Sequence, residues 1–334
     1  MMVMMAAGCW FSLPGYSQRI SVGKKGLVKV MRTDSTCAQE FVRDEHRTVS
    51  TRKTTVQASG AQEGVNTLAS YLKSDVDLNI PVSKVKLEKT FAVIIANENY
   101  QEEVNVEFAL NDGMAFREYC VKLLGIPESN LHIRKDATLN NMLAEINWMQ
   151  NIAKAYGAEA RFIFYYAGHG MPDESNGTSY LLPVDGKSNI LATGYSMSRL
   201  YSELNGLKAA CVTVLMDACF SGSKRGEGML ASARGVALKA KAEAPKGNML
   251  VMTAAQGSET AYPYKEKKHG LFTYFLLKKL QESKGKVTYG DLFDYVKTNV
   301  AQKSVVVNEK SQTPTVAVSG DLVSTWQGIR LNED

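Results

Sequence analysis

A chain of 334 residues that is 45% hydrophobic and 22% charged can bury a core of its own, without a disulfide framework or a structural metal. Its formal charge of +5, from 39 basic and 34 acidic residues spread along the chain, gives no basis for a nucleic-acid partner. Five cysteines (Cys9, Cys37, Cys120, Cys211, Cys219) with no Cys-x-x-Cys pair, and four scattered histidines, argue against a disulfide scaffold, a zinc site or a thioredoxin motif.

Residues 1–13 are mostly apolar, and Gly15-Tyr16-Ser17 puts small residues at the −3 and −1 positions before Gln18. Residues 1–17 therefore read as the end of a secretory signal peptide, which predicts a periplasmic or secreted protein. The alternative is an ordinary apolar terminus on a cytoplasmic protein. No other segment is long and apolar enough to serve as a transmembrane span. Residues 18–88 form an N-terminal extension or pro-segment. Within it 32–60 has linker composition and 65–72 has the pattern of a short helix.

Regular patterning begins at Phe91. The apolar run 91–96 is a buried parallel strand. Phe116, Cys120, Leu123 and Leu124 recur at helical spacing, with Gly125 as the C-terminal stop. Residues 131–134 form a short strand. Thr138 caps a helix whose Met142, Ile146 and Met149 share one face. Strands follow at 161–167, 211–216 and 248–253, with a helix at 196–204 between the first two. A helix at 271–280 precedes another, opened by a capping box at Thr288 and Asp291 and running to about Val300. Strands alternating with helices predict an α/β fold, a three-layer α-β-α sandwich around a mostly parallel sheet. Ligands of such sheets bind beyond the carboxyl ends of the strands.

Two strand ends carry chemistry there. One closes in Tyr166-Ala167-Gly168-His169-Gly170, the other in Asp217-Ala218-Cys219-Phe220-Ser221-Gly222. If these strands are neighbours, His169 can activate the Cys219 thiol and return the proton to a leaving amine. The backbone amides of Gly170 and Cys219 are the natural oxyanion donors. Taken singly, each residue reads as structural; the pair in this setting reads as catalytic. Cys211 and Cys120 lie on apolar faces and read as core, and His269, after a Lys-rich turn, reads as structural. The chain lacks both the Gly-rich dinucleotide fingerprint and the P-loop, which weighs against a nucleotide-binding protein.

The His–Gly element and the Cys element stand 50 positions apart, and with their flanking runs they resemble the caspase and metacaspase superfamily. Asp217-Ala218-Cys219 resembles the metacaspase and bacterial caspase-like form more than the animal form. The resemblance spans 91–318 and includes Phe-Ala-Leu-Asn-Asp at 108–112, Leu-Leu-Pro-Val-Asp at 181–185 and His-Gly-Leu-Phe-Thr-Tyr at 269–274. It implies a peptidase domain at 89–320. Its parts are a large-subunit-like 89–222, a linker 223–247 and a small-subunit-like 248–320, with a C-terminal tail at 321–334. Asp217 and Asp112 match acidic S1 positions of metacaspases, which implies protein or peptide substrates cleaved after Arg or Lys. The other readings are a carboxylate tying down turn amides for Asp217 and a helix-start residue for Asp112. Ala167 stands where many metacaspases carry Ser near that pocket. Asp185 matches one calcium-binding acid of the family. No acidic pair stands near Tyr195 and Ser196, and Gly226 replaces a further Asp, so no metal or cofactor is expected. The basic linker, with Lys224 and Arg225 at its start, is a candidate site of self-cleavage or a solvated loop. Tyr262 and Tyr264 lie where they can shape a pocket or pack in the core. The rival function is an inactive caspase-like scaffold.

Overall fold

The computed structural model describes residues 73–173, 178–220, 245–257 and 259–333, together with the backbone of two short strands nearer the N-terminus. Those strands, Arg19–Val22 (β1) and Val28–Met31 (β2), pair antiparallel within a unit spanning Met1–Gln57. The signal-peptide reading of 1–17, the helix expected at 65–72, and Lys224 and Arg225 lie outside the described residues.

The second unit, Ala58–Asp334, holds the patterned part of the chain. A 3-10 turn at Asp75–Asp77 comes first. The predicted first strand is Thr90–Ala96 (β3), buried along its whole length. Helix Ala109–Glu118 (α1) continues as a π-helical turn, Tyr119–Leu124, and stops at Gly125 in the left-handed conformation (φ 79°). Leu131–Lys135 (β4) leads to Leu139–Tyr156 (α2), where the Thr138 hydroxyl accepts from the Asn141 amide at 3.3 Å. Arg161–Ala167 (β5) is followed by three short strands, Gly170–Pro172 (β6), Ser179–Leu181 (β7) and Tyr195–Ser196 (β8), then by Met197–Asn205 (α3). Cys211–Asp217 (β9), Met249–Thr253 (β10), Pro263–Tyr264 (β11) and His269–Gly270 (β12) precede Leu271–Ser283 (α4), Tyr289–Asn308 (α5) and Thr315–Val318 (β13).

Among the described residues the main sheet runs β13-β10-β9-β5-β3-β4, parallel except for β13, which lies antiparallel on β10. Side chains alternate across it as the pleat requires. Ala92, Ile94, Ile163, Tyr165 and Leu215 face a core layer with α1, α4 and α5. Val93, Ile95, Phe162, Phe164 and Val214 face the opposite layer with α2 and α3. Both faces are covered, which is why the strands read as unbroken apolar runs. This is the predicted α-β-α sandwich.

Helix α5 runs two turns beyond the expected end near Val300, because Ser304 is also buried on its core face and its hydroxyl accepts from the Gln312 amide at 3.0 Å. The C-terminal residues pack back on the fold. Arg330 bridges to Thr288, Leu331 is buried, and Trp326 lies edge-on to Phe293.

Candidate active site

Strands β3, β5 and β9 end flush. Ala167 pairs with Ala96 on one side and with Asp217 on the other. Counting two residues onward from that pair reaches His169 on one chain segment and Cys219 on the other. The Gly168 amide donates to the Asp217 carbonyl at 3.3 Å, which keeps the segments together past the ladder's end. A Cβ at Gly170 would lie 2.5 Å from the Cys219 carbonyl oxygen. The His169 and Cys219 segments therefore run side by side at the carboxyl edge of the sheet. Both side chains are nearly covered, at 5% and 2% exposure.

The two glycines around His169 serve different close approaches. At Gly168 a Cβ would fall 2.7 Å from the hydroxyls of both Tyr100 and Tyr166, so this glycine makes room for two phenols under the histidine. At Gly170 the space is taken by the Cys219 carbonyl and the Phe220 ring. Leu182 donates its amide to the His169 carbonyl at 3.0 Å across the β6–β7 ladder. By the alternation of an antiparallel pair, the amide of Gly170 then turns away from β7.

The phenols grip the backbone of His169 at both its polar groups. Its amide donates to the Tyr100 hydroxyl at 2.8 Å, and the Tyr166 hydroxyl donates to its carbonyl at 2.7 Å. Burial holds the Tyr166 phenol well above its ordinary pKa, so it stays a donor. The imidazole Nε2 sits 2.7 Å from the Val104 carbonyl. A carbonyl can only accept, so Nε2 carries the hydrogen and the basic lone pair belongs to Nδ1. Tyr100 and Val104 both come from residues 97–108, a loop that carries no motif of its own in the sequence.

Asp112 and Asp217 converge on the first turn of α4. Asp217 accepts from the Thr273 amide (3.1 Å) and hydroxyl (2.7 Å). Asp112, in the first turn of α1, accepts from His269 Nδ1 at 2.8 Å and from the Gly270 amide at 3.0 and 3.1 Å. Both carboxylates are fully buried. These bonds are those of helix-capping carboxylates, satisfying the orphan amides of α4 and favoured by its dipole. They bring the two predicted S1 acids to one place and occupy oxygens of each.

His269 Nε2 is held at 3.1 Å by Asp77, from the 3-10 turn upstream of β3. Burial alone would lower the His269 pKa, but hydrogen bonds to Asp112 and Asp77 outweigh it and raise the value to about 9. His269 is thus a buried imidazolium between two carboxylates. Its partner Asp77 lies 192 positions away in sequence, so nothing local announces the pairing. Beside it, Asp75 bonds Lys267 at 2.8 Å, Lys278 at 3.0 Å and the Tyr274 hydroxyl at 3.2 Å. Burial opposes ionisation of Asp75, and the two lysines hold its carboxyl well below the ordinary range.

The remaining candidates separate clearly. Burial pushes the Cys120 and Cys211 thiols up, as suits inert core residues. Asp185 accepts from the Leu139 amide at 3.0 Å and so caps α2. Tyr264 packs edge-on to Tyr274 and is core. Tyr262 is part-buried, and burial raises its phenol pKa against a hydrogen bond with Thr260.

The comparisons with known proteins agree with this fold. A family described as the caspase domain matches residues 89–321. Caspase-1 from Spodoptera frugiperda has a similar structure, with TM-score 0.50, 13% identity, and 73% of this chain and 92% of that one covered. A protein from Geobacter sulfurreducens of known crystal structure is similar too, with TM-score 0.53, 17% identity, and coverage of 73% and 98%. No curated protein matches the sequence. At these identities the solved structures speak for the fold, and the match over 89–321 carries the assignment: the chain belongs to the caspase-domain family of cysteine peptidases.

Proposed function

We propose that the protein is an active cysteine endopeptidase with Cys219 as nucleophile and His169 as general base. The flush pairing of Ala167 with Asp217, with Gly170 packed against the Cys219 carbonyl, carries the reading. His169 Nδ1 takes the proton from Cys219 Sγ, and the thiolate attacks the scissile carbonyl. The amides of Gly170 and Cys219 receive the developing oxyanion. His169 then gives its proton to the leaving amine, and water, activated by the same nitrogen, hydrolyses the acyl-enzyme.

We further propose cleavage after Arg or Lys. Asp77, Asp112 and Asp217 set three carboxylates against the one imidazolium of His269, and this excess of negative charge favours a cationic side chain and repels an acidic one. The reading keeps 89–222 and 248–320 as the two halves of the peptidase, and 223–247 as the loop cut at Lys224 or Arg225. Residues 1–17 direct export; no helix among the described residues is long and apolar enough to cross a membrane.

The near-complete burial of Cys219, and the internal bonds of Asp112 and Asp217, favour a second reading as an inactive scaffold. Hydrolysis of fluorogenic peptides ending in Arg, Lys or Asp, by wild type and Cys219→Ala under reducing conditions, separates the two. Cleavage after Arg or Lys by wild type alone supports the proposal. Cleavage after Asp keeps the peptidase and removes the specificity. Slow alkylation of Cys219 together with no cleavage supports the scaffold.

A further inference from the structure

The loop between β3 and α1 is tied down along its length. The Asn97 amide donates to the Ala167 carbonyl at 2.9 Å, and its side chain bonds the Ala137 amide at 2.8 Å and the Leu182 carbonyl at 3.2 Å. The amides of Glu98 and Asn99 both donate to Asp136 at 2.9 Å, and the Gln101 amide donates to the Val184 carbonyl at 2.9 Å. From this anchored loop Tyr100 reaches beneath His169, 8% exposed, with its ring centroid 4.7 Å from the imidazole.

We propose that Tyr100 is a positioning residue for the catalytic base, its hydroxyl fixing the His169 backbone and its ring favouring the imidazolium that forms when Cys219 gives up its proton. The proposal rests on the reading of His169 as general base. The hydroxyl accepts from the His169 amide and passes its own hydrogen to the Leu182 carbonyl at 3.3 Å, so the peptide of His169 is tied to the β7 end through one side chain. The negative face of an aromatic ring attracts a cation. Backbone grip and ring contact are separable: Tyr100→Phe removes the first, Tyr100→Leu removes both.

In Tyr100→Phe, kcat should fall roughly tenfold to a hundredfold with KM within about twofold, since a small misplacement of a reacting group carries that penalty. In Tyr100→Leu, the acid limb of the kcat/KM profile, which reports protonation of the base, should also move down by about half a pH unit to one unit. The pH dependence of Cys219 alkylation by iodoacetamide should shift in parallel, and it needs no peptide substrate. An unmoved profile in Tyr100→Leu, or wild-type kcat in Tyr100→Phe, overturns the proposal, with a lowered melting temperature or without. Should that variant not fold, Asn105→Ala carries the test. Asn105 is exposed and accepts from the Tyr100 amide at 3.2 Å, so reduced kcat at unchanged KM supports the proposal and wild-type kcat overturns it. A wild type that hydrolyses no peptide and alkylates without pH dependence removes the base reading itself, and the proposal falls with it.

Discussion

Gly170 stands so close to Cys219 that one added methyl group would meet both the Cys219 carbonyl oxygen and the Phe220 ring at 2.5 Å. No rotation relieves a clash with backbone, so Gly170→Ala must push the His169 and Cys219 segments apart. Overpacking of this kind costs about 1–3 kcal/mol in stability. Activity should drop further, by about a hundredfold, because both proposed oxyanion donors lie on the displaced segments. Gly320→Ala, where a Cβ meets nothing within 4 Å, is the control and should leave both unchanged. Melting temperature and kcat measured on the two variants decide it; equal behaviour would refute the close approach.

Asp217→Ala removes the acceptor of two bonds from Thr273 and leaves the buried start of α4 unsatisfied. Hydrogen bonds of this kind contribute about 1.5–3 kcal/mol each, so a loss of about 3–6 kcal/mol is expected in urea unfolding. A variant as stable as wild type would show that these bonds do not hold the helix.

The folded pKa of His269, about 9, lies above its ordinary 6.5. Folding therefore takes up a proton. The resulting stabilisation, about 3 kcal/mol, is whole below pH 6.5 and is lost as the pH rises through about 9. Unfolding free energies of wild type and His269→Gln should differ most near pH 6 and converge by about that amount at pH 10. A gap that stays constant across this range would mean that His269 folds neutral.

Self-cleavage is expected after Lys224 or Arg225. On long incubation under reducing conditions wild type should yield two fragments and Cys219→Ala none. Replacing Lys224 and Arg225 together by Ala should abolish those products. Identical intact bands from wild type and Cys219→Ala would end the idea.

The strands and long helices were legible because each buries an unbroken apolar run or a periodic face, as at 161–167 or at Met142, Ile146 and Met149. Strand order was not, since alternation of strands and helices permits several sheets; the adjacency of β5 and β9 had to be assumed. The two-residue and three-residue strands of the side sheets are too short for a period. At the candidate site, His169 and Cys219 stood out as strand-end residues, and the reason for the glycines on either side of His169 became visible only with Tyr100, Tyr166 and Phe220 around them. The Val104 contribution is a backbone carbonyl and leaves no trace in residue identity. His269 reads as structural by position, and its charge depends on Asp77 and Asp112, far from it in sequence.

The turn at Asp75–Asp77 changes where this domain begins. Sequence similarity starts at residue 89, yet the fold reaches back to Ser74. Val76 is wholly buried, its carbonyl accepts from the Tyr119 hydroxyl at 2.7 Å, and Gln281 donates to the carbonyls of Asp75 and Leu78. A fragment cut at the similarity border would keep every residue of the proposed dyad. It would also carry an open socket beside α4 and a buried imidazolium with half its counter-charge gone. The domain is a garment whose fastening is sewn to the cloth in front of it, and any truncated form should keep that fastening.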